Sequence, residues 1–420
     1  WLIFPLRFLC ETFTAGVYHN GSPFFNAIGD FWTSCFGDLT ATINPLWLAY
    51  SIDLGIFFLC MPFTRYMHIP TEMLLIPFRN AGLTVKNARK GFAKAQVYSC
   101  PGCGVCIDAC PMSADRANLK DCTVYLNRHI RRGHEKRVDE ISDKCLLCGK
   151  CQAVCQVGVE GPTLRMAQRA TRRYSIEQDY SGIDTRPLAD AARGSKVLYF
   201  AGCMTQLTPR IPRAVESVLK KAGVNYVWMD RDGGLCCGRP MLTAGKIGEA
   251  KQLIRKNEQI ISESRAHTLI LSCPICYKIF REHYSLPGVR VIHHSQYFDE
   301  LVRLGKLSPV KGSGSVVWHD PCELGRGSGI YEAPRDLLGR CAELREAGHN
   351  HAESICCGGS LGSLTLGFAQ REAMTRNALD DLVKDAPDAI ATGCPLCMST
   401  FGRYADRPVK DIAEILDESC

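Results

Sequence analysis

Apolar and polar positions give the chain two textures. From Ile43 to Phe63 it reads INPLWLAYSIDLGIFFLCMPF, 21 residues of which only Asp53 is charged. As a helix, such a run covers the roughly 30 Å of a bilayer's hydrocarbon core, which predicts a transmembrane helix. A buried core helix is the competing reading. The apolar opening, Trp1 to about Val17, predicts the end of a preceding span, and the natural chain is expected to continue upstream of it. Residues 20–42, with Gly, Pro, Asn and Asp, are expected to form the outer loop. From Lys196 onward the texture changes to short apolar runs alternating with helical periods: KVLYFAGC, then PRAVESVLKKAG, then VNYVWMD. AHTLILSCPICY and SVVWHDPC repeat the order of strand, then cysteine. This alternation predicts an α/β unit with a mainly parallel sheet.

Between these textures, residues 81–98 form a basic connector. Residues 99–160 hold eight cysteines in two clusters, around a basic and helical-looking stretch, YLNRHIRRGHEKRVDEI. Residues 161–195 read as a helix plus linker.

Charge sharpens the membrane reading. No Lys or Arg lies between Arg7 and Arg65, where the charges are Glu11, Asp30, Asp38 and Asp53. Arg65, Arg79, Lys86, Arg89, Lys90 and Lys94 then follow with Glu72 as the sole acid. By the positive-inside rule, everything downstream faces the cytoplasm from the inner membrane. The overall charge of +7 comes without an aromatic-rich basic patch, and no nucleic-acid partner is expected.

Of 420 residues, 24 are cysteine. In a chain this long, with the cysteines in C-x-x-C groups, that count points to metal in place of a disulfide framework. CPGCGVCIDACP (100–111) and CLLCGKCQAVC (145–155) share the spacing C-x-x-C-x-x-C-x-x-x-C. Closely spaced thiolates on a tight loop hold three corners of a cubane [4Fe–4S] cluster, and the fourth ligand comes from the other motif. One cluster is therefore assigned to Cys100, Cys103, Cys106 and Cys155, the other to Cys145, Cys148, Cys151 and Cys110. Zinc prefers paired C-x-x-C groups to such a run of four. The second motif has Gln156 where the first has Pro111.

Five further cysteines occur twice. Cys203, Cys236, Cys237, Cys273 and Cys276 recur as Cys322, Cys356, Cys357, Cys394 and Cys397, at offsets of 119 to 121. That is an internal duplication. Five thiolates exceed what a cubane or tetrahedral zinc needs, and Gly234, Gly238, Gly358 and Gly359 are expected to let backbone approach an inorganic core. Six cysteines have no motif and read as ordinary thiols: Cys10, Cys35, Cys60, Cys122, Cys341 and Cys420.

Paired four-cysteine motifs followed by duplicated Cys…Cys-Cys-Gly…Cys-x-x-Cys resemble the heterodisulfide reductase iron–sulfur subunits, with the family's C and B subunits fused. The resemblance covers about residues 96–420. It implies that each five-cysteine set binds a noncubane [4Fe–4S] cluster, and that the two together cleave a disulfide. FTRYMHIPTEMLLIPFRN (63–80) is similar to the last part of the cytochrome b subunits that accompany such proteins and nitrate reductase. That likeness makes His68 either a haem b ligand with its partner on another helix, or an interfacial histidine. His19 is a weaker candidate.

His293, His294, His319 and Asp320 lie near cysteines in sequence. They could furnish protons for thiol chemistry, or simply brace the surrounding loops. GGLCCG lacks the dinucleotide spacing, and no flavin or nicotinamide site is expected.

The expected fold is multidomain: a transmembrane α-helical segment (1–80), the basic linker (81–98), an α-helical two-cluster ferredoxin-like domain (99–195), and a duplicated α/β CCG domain (196–310 and 311–420). The expected function is that of a heterodisulfide reductase-like oxidoreductase subunit of a membrane redox complex, moving electrons between a membrane quinone or haem b and a cytoplasmic partner, with a thiol/disulfide couple as one candidate. The alternative is an adaptor that passes electrons from a soluble flavoprotein to menaquinone without disulfide chemistry. A purely structural or sensing role fits four clusters poorly.

Overall fold

The computed structural model describes residues 2–114, 116–172, 174, 178–233 and 235–420. Trp1 and Gly234, both singled out by the sequence, lie outside them. The chain forms two units, Trp1–Leu74 and Leu75–Cys420.

The first unit holds helices α1 (Ile3–Tyr18), α2 (Pro23–Phe36), α3 (Thr40–Cys60) and the start of α4 (His68–Asn80). The loop expected over residues 20–42 is largely the helix α2. Pro23 opens it, and the Ser22 hydroxyl accepts from the Phe25 N–H. Gly, Pro and Asp punctuation in the sequence masks an apolar stripe that includes Phe24, Ile28 and Phe31. A Cβ on Gly16 of α1 would lie 2.6 Å from the Gly29 oxygen of α2, so only glycine permits this approach. Thr40–Phe63 is the one stretch among the described residues long and apolar enough to cross a membrane. None of its most apolar residues is buried, which tells against a core helix. Within it α3 is ~32 Å long.

The second unit continues with α5 (Phe92–Ser99), α6 (Val105–Asp108), α7 (Thr123–Arg131), α8 (Glu135–Lys144), α9 (Lys150–Ala153) and α10 (Gly161–Arg169). The basic, helical-looking stretch forms two helices, α7 and α8, because the chain turns at Gly133 with φ +70°. The connector is not merely a linker either. Its α5 buries Ala93 and Val97 in a core with Leu126, Val138, Ile141 and Leu164.

Two parallel sheets follow, as the alternation predicted. The first has strands β1 (Val197–Phe200), β2 (Val227–Trp228), β3 (Thr268–Leu271) and β4 (Arg290–His293), in the order β2-β1-β3-β4. The second has β5 (Ser315–Trp318), β6 (Glu343–Glu346), β7 (Ala389–Thr392) and β8 (Val409–Asp411), in the order β6-β5-β7-β8. Every pairing in both is parallel. Identical strand orders give the sequence repeat a structural form. Phe200 ends β1 and His319 directly follows β5 at the equivalent repeat position: Phe200 packs on Phe280 and His319 on Phe401, with centroids 5.1 and 4.7 Å apart. Both repeats share one apolar core.

Candidate iron–sulfur sites

In each sheet the cysteines follow the carboxyl ends of strands. Cys203 follows β1, Cys236 and Cys237 follow β2, and Cys273 begins just past β3; Cys322, Cys356/Cys357 and Cys394 do the same for β5, β6 and β7. The outer β2 and β6 flank the central strands, and this end of a parallel α/β sheet is where ligands bind.

The thiols of each set touch one another. In the first, Cys203 reaches Cys236, Cys236 reaches Cys237, and Cys237 also meets Cys276, which meets Cys273. In the second, Cys322 reaches Cys356, Cys356 reaches Cys357, and Cys357 meets Cys397, which meets Cys394. The second cysteine of each pair is the hub. Thiol donation from Cys236 and Cys276 pulls Cys237 down to about 5. Donation from Cys356 and Cys397 holds Cys357 well below the ordinary thiol range. A thiol that ionises most readily at the centre of five is a natural first metal ligand.

The glycines beside the pairs do a different job from the one the sequence suggested. Gly238 and Gly358 have φ +89° and +81°, so they serve the turn. A Cβ on Gly359 would lie 2.0 Å from the Thr400 hydroxyl. For Gly358 and Gly359 the space freed goes to packing against the protein's own helices. Gly234 lies outside the described residues.

The two four-cysteine groups enclose separate small cavities. One is lined by Cys100, Cys103, Cys106 and Cys155, the other by Cys110, Cys145, Cys148 and Cys151. The crossed arrangement therefore brings Cys155 to the first motif and Cys110 to the second. Helix α7 walls both cavities. Its Thr123 hydroxyl lies 3.2 Å from Cys151 Sγ and accepts from Arg165, 3.0 Å away. One turn on, Asn127 lines the first cavity; it is 1% exposed, and neither amide atom has a hydrogen-bond partner. A buried amide left unpaired costs about 1–3 kcal/mol, so the cavity fits a group that accepts hydrogen bonds, as cluster sulfides do. Arg165 is buried against the second cavity. Burial alone would lower its pKa, but the Cys145, Cys151 and Cys110 thiolates raise it. Burial pushes the Cys106 thiol up to about 11.

Three links join these sites. Thr123 and Cys151 line both four-cysteine cavities. Cys148 and Cys356 are in hydrogen-bonding reach, joining the second cavity to the second five-cysteine set. Cys394 and Cys273 are close enough to interact as charges, which joins the two five-cysteine sets. A cleft of about 590 Å³ opens beside the middle of this series. Cys148, Cys322, Lys278, Glu282, Glu323 and Arg326 line it. Glu323 pairs with Arg239 at 2.6 Å and Lys278 at 3.1 Å. Burial would raise the Glu323 pKa, but those cations outweigh it and keep the carboxyl below its usual range.

The histidines and Asp320 fall into separate roles. Asp320 is held by Arg335 at 2.8 and 2.7 Å and also accepts from the Trp318 indole, which makes it a brace. His294 meets Asp411 at 3.0 Å. The His293 ring lies against the backbone of Ser272 and Gly393, the residues preceding Cys273 and Cys394, and burial drives it neutral. His319 is also lowered by burial; it lies near Cys357 with an unpartnered Nε2. In the other unit, His68 begins α4, while His19 caps α1 and faces Asp30 at 3.6 Å.

Thr123, Asn127, Arg165, Glu323 and Arg326 carry no motif and were not legible as site residues. Nor was Cys122, which is buried and lies within hydrogen-bonding reach of Cys110. Its closeness depends on the turn into α7, which nothing in the spacing signals.

The cysteine-rich CCG domain matches twice, at residues 197–281 and 316–402, and the 4Fe-4S dicluster domain matches residues 96–159. The D subunit of the dihydromethanophenazine:CoB–CoM heterodisulfide reductase of Methanosarcina acetivorans is 22% identical over 392 residues, 77% of this chain and 94% of that one. This chain is an iron–sulfur electron-transfer protein, an oxidoreductase component related to heterodisulfide reductase. It is also similar to a membrane-anchored ferredoxin of Chromohalobacter salexigens, at 26% identity over 78% of this chain and 49% of that one. The EtfAB:quinone oxidoreductase of Syntrophomonas wolfei is 24% identical, over 76% and 46% respectively. The chain thus spans about half the length of these last two relatives. A membrane-anchored relative and one apolar helix of spanning length both point to membrane association.

Proposed function

We propose that this protein is a membrane-anchored subunit that moves electrons between a membrane quinone and a thiol/disulfide couple on the cytoplasmic side. The observation that carries the reading is the unbroken series of thiol sites, from the cavity of Cys100 to the set of Cys203. Two cubane [4Fe–4S] clusters would be held by Cys100, Cys103, Cys106 and Cys155, and by Cys110, Cys145, Cys148 and Cys151. Two noncubane [4Fe–4S] clusters would be held by the sets of Cys203, Cys236, Cys237, Cys273 and Cys276, and of Cys322, Cys356, Cys357, Cys394 and Cys397. Such clusters supply one-electron transfer at potentials that the surrounding hydrogen bonds and burial adjust.

The chain's own residues do the rest. Thr123 and Asn127 orient donors towards the two cubane cavities, Arg165 places a buried positive charge beside the second, and the central Cys237 and Cys357 offer thiolates. The cleft lined by Lys278, Glu323 and Arg326 supports a small-molecule substrate, a disulfide, more than the adaptor reading does. A positively charged Lys278 suits an anionic substrate or a developing thiolate.

The apolar helix α3 supports anchoring, and the basic residues after it support a cytoplasmic position for the second unit. The likeness of residues 63–80 to a cytochrome b supports quinone linkage. His68 would be a candidate haem b ligand among the described residues. With His19 facing Asp30, the second ligand would come from outside the described residues, and no step is assigned to haem.

The test is a paired assay of the purified complex. Oxidation of a reduced menaquinone analogue by a disulfide is expected. Electron flow from a reduced flavoprotein to the quinone, with no disulfide turnover, would favour the adaptor instead.

A further inference from the structure

Among the eight cysteines of the two small cavities, only Cys103 is exposed. It stands on a loop with Pro101 and Gly102, next to Val105, an apolar side chain 43% exposed. Helix α7 forms the wall behind it. Val124 and Asn127 line the cavity, so the residues one turn on, Arg128 and Arg131, continue the same face of the helix towards its end. Arg131 binds the loop itself, donating to the Tyr98 oxygen at 3.2 Å and the Cys100 oxygen at 2.6 Å. Arg128, Arg132, His134 and Lys136 are exposed, and Arg128, Arg132 and Lys136 have no ion pair among the described residues. Lys94, on the neighbouring α5, is exposed as well. Acidic side chains near this face are few and mostly matched: Glu135 by Arg89, Glu140 by Arg137 and Asp139 by Arg172, while Asp108 has no ion pair among the described residues. The concentration of positive charge is felt locally. Burial and then the repulsion of His134, Arg137, Arg132 and Arg128 push His129 below the ordinary imidazole range.

We propose that this face, Cys103 and Val105 ringed by Lys94, Arg128, Arg132 and Lys136, is the docking surface for an acidic electron-transfer protein. The inference rests on the cluster assignment above, because it takes the Cys103 site as the end of the series open to a soluble partner. Redox docking surfaces are small and weak, and complementary charge sets their association rate more than contact area does. A small exposed apolar centre with unpaired cations around it fits that pattern. An anionic lipid surface would also be attracted to the cations. It would give no reason for Cys103, the one exposed cysteine of the two four-cysteine sites, to stand among them.

The experiment uses the full chain with its clusters in place and flavodoxin as the acidic probe. Association is measured with oxidised flavodoxin, which needs no electron transfer. In wild type the on-rate should fall steeply between about 20 mM and about 300 mM salt. In R128E/R132E/K136E it should fall at least about tenfold at the lower salt and lose most of that dependence. A control with equal charge change on the first repeat, K220E/K251E/R255E, should stay near wild type. Equal on-rates in the wild type and the α7–α8 variant would overturn the proposal. So would an equal loss in the control, or loss of binding to anionic phospholipid vesicles with flavodoxin association unchanged. Iron content and cubane spectra of the same preparations report on the underlying assignment separately. Missing cubane iron in wild type would sink that assignment, whereas full iron with unchanged association sinks only the docking surface.

Discussion

Asn127 and Thr123 stand one helical turn apart and present a polar group to each of the two four-cysteine cavities. An N–H···S bond stabilises the more negative, reduced form of a cluster, and so raises its potential. Asn127→Leu should therefore lower the potential of the first cubane and leave the second unchanged, as read by EPR-monitored titration. A shift of both, or of neither, would refute a specific donor role. Cys237→Ala should abolish one noncubane EPR signal and spare both cubanes, because Cys237 is the hub of its set alone. Cys122 provides the contrast. It touches Cys110 yet lies outside both four-cysteine groups, so Cys122→Ser should keep full iron. At this scale the grouping of the cysteines was largely legible, because tight loops put sulfur spacing directly into the sequence. Asn127, Arg165 and Cys122 were not, since their roles come from the packing of α7 and α10 across the motifs.

Helices and strands were read less evenly. The strands before the cysteines and their parallel pairing follow from apolar runs alternating with helical periods. In the N-terminal unit, α2 was hidden by turn-forming residues, and the split between α7 and α8 hung on the single Gly133. Two close contacts between elements allow tests of stability. A Cβ at Gly362 would lie 2.1 Å from the Leu146 oxygen, beside Cys145. Gly362→Ala should cost about 1–3 kcal/mol, and it should lower the occupancy of the second cubane before the first. Denaturant midpoints and cluster spectra check the two parts. Asp320 is buried and bound by Arg335, so Arg335→Met leaves a carboxylate without its partner; a loss of about 3–5 kcal/mol in unfolding free energy is expected. A loss within about 0.5 kcal/mol, the range of ordinary surface changes, would show that Asp320 is satisfied without it.

Across the whole molecule, the duplication gives two five-cysteine sets that meet through Cys273 and Cys394, and the second adjoins the ferredoxin-like motifs through Cys148 and Cys356. Offsets near 120 residues revealed the repeat, but only the folded chain shows which set lies next to the motifs. The cleft at Cys322 was likewise invisible in sequence, because its walls come from both repeats and the motif loops. The central claim is that all four thiol sites carry iron–sulfur clusters. Its most direct measurement is quantification of iron and acid-labile sulfide in the anaerobically purified chain. About 16 of each per polypeptide is the predicted result, four for each of four clusters; about 8 of each, with only cubane signals by EPR, would contradict it.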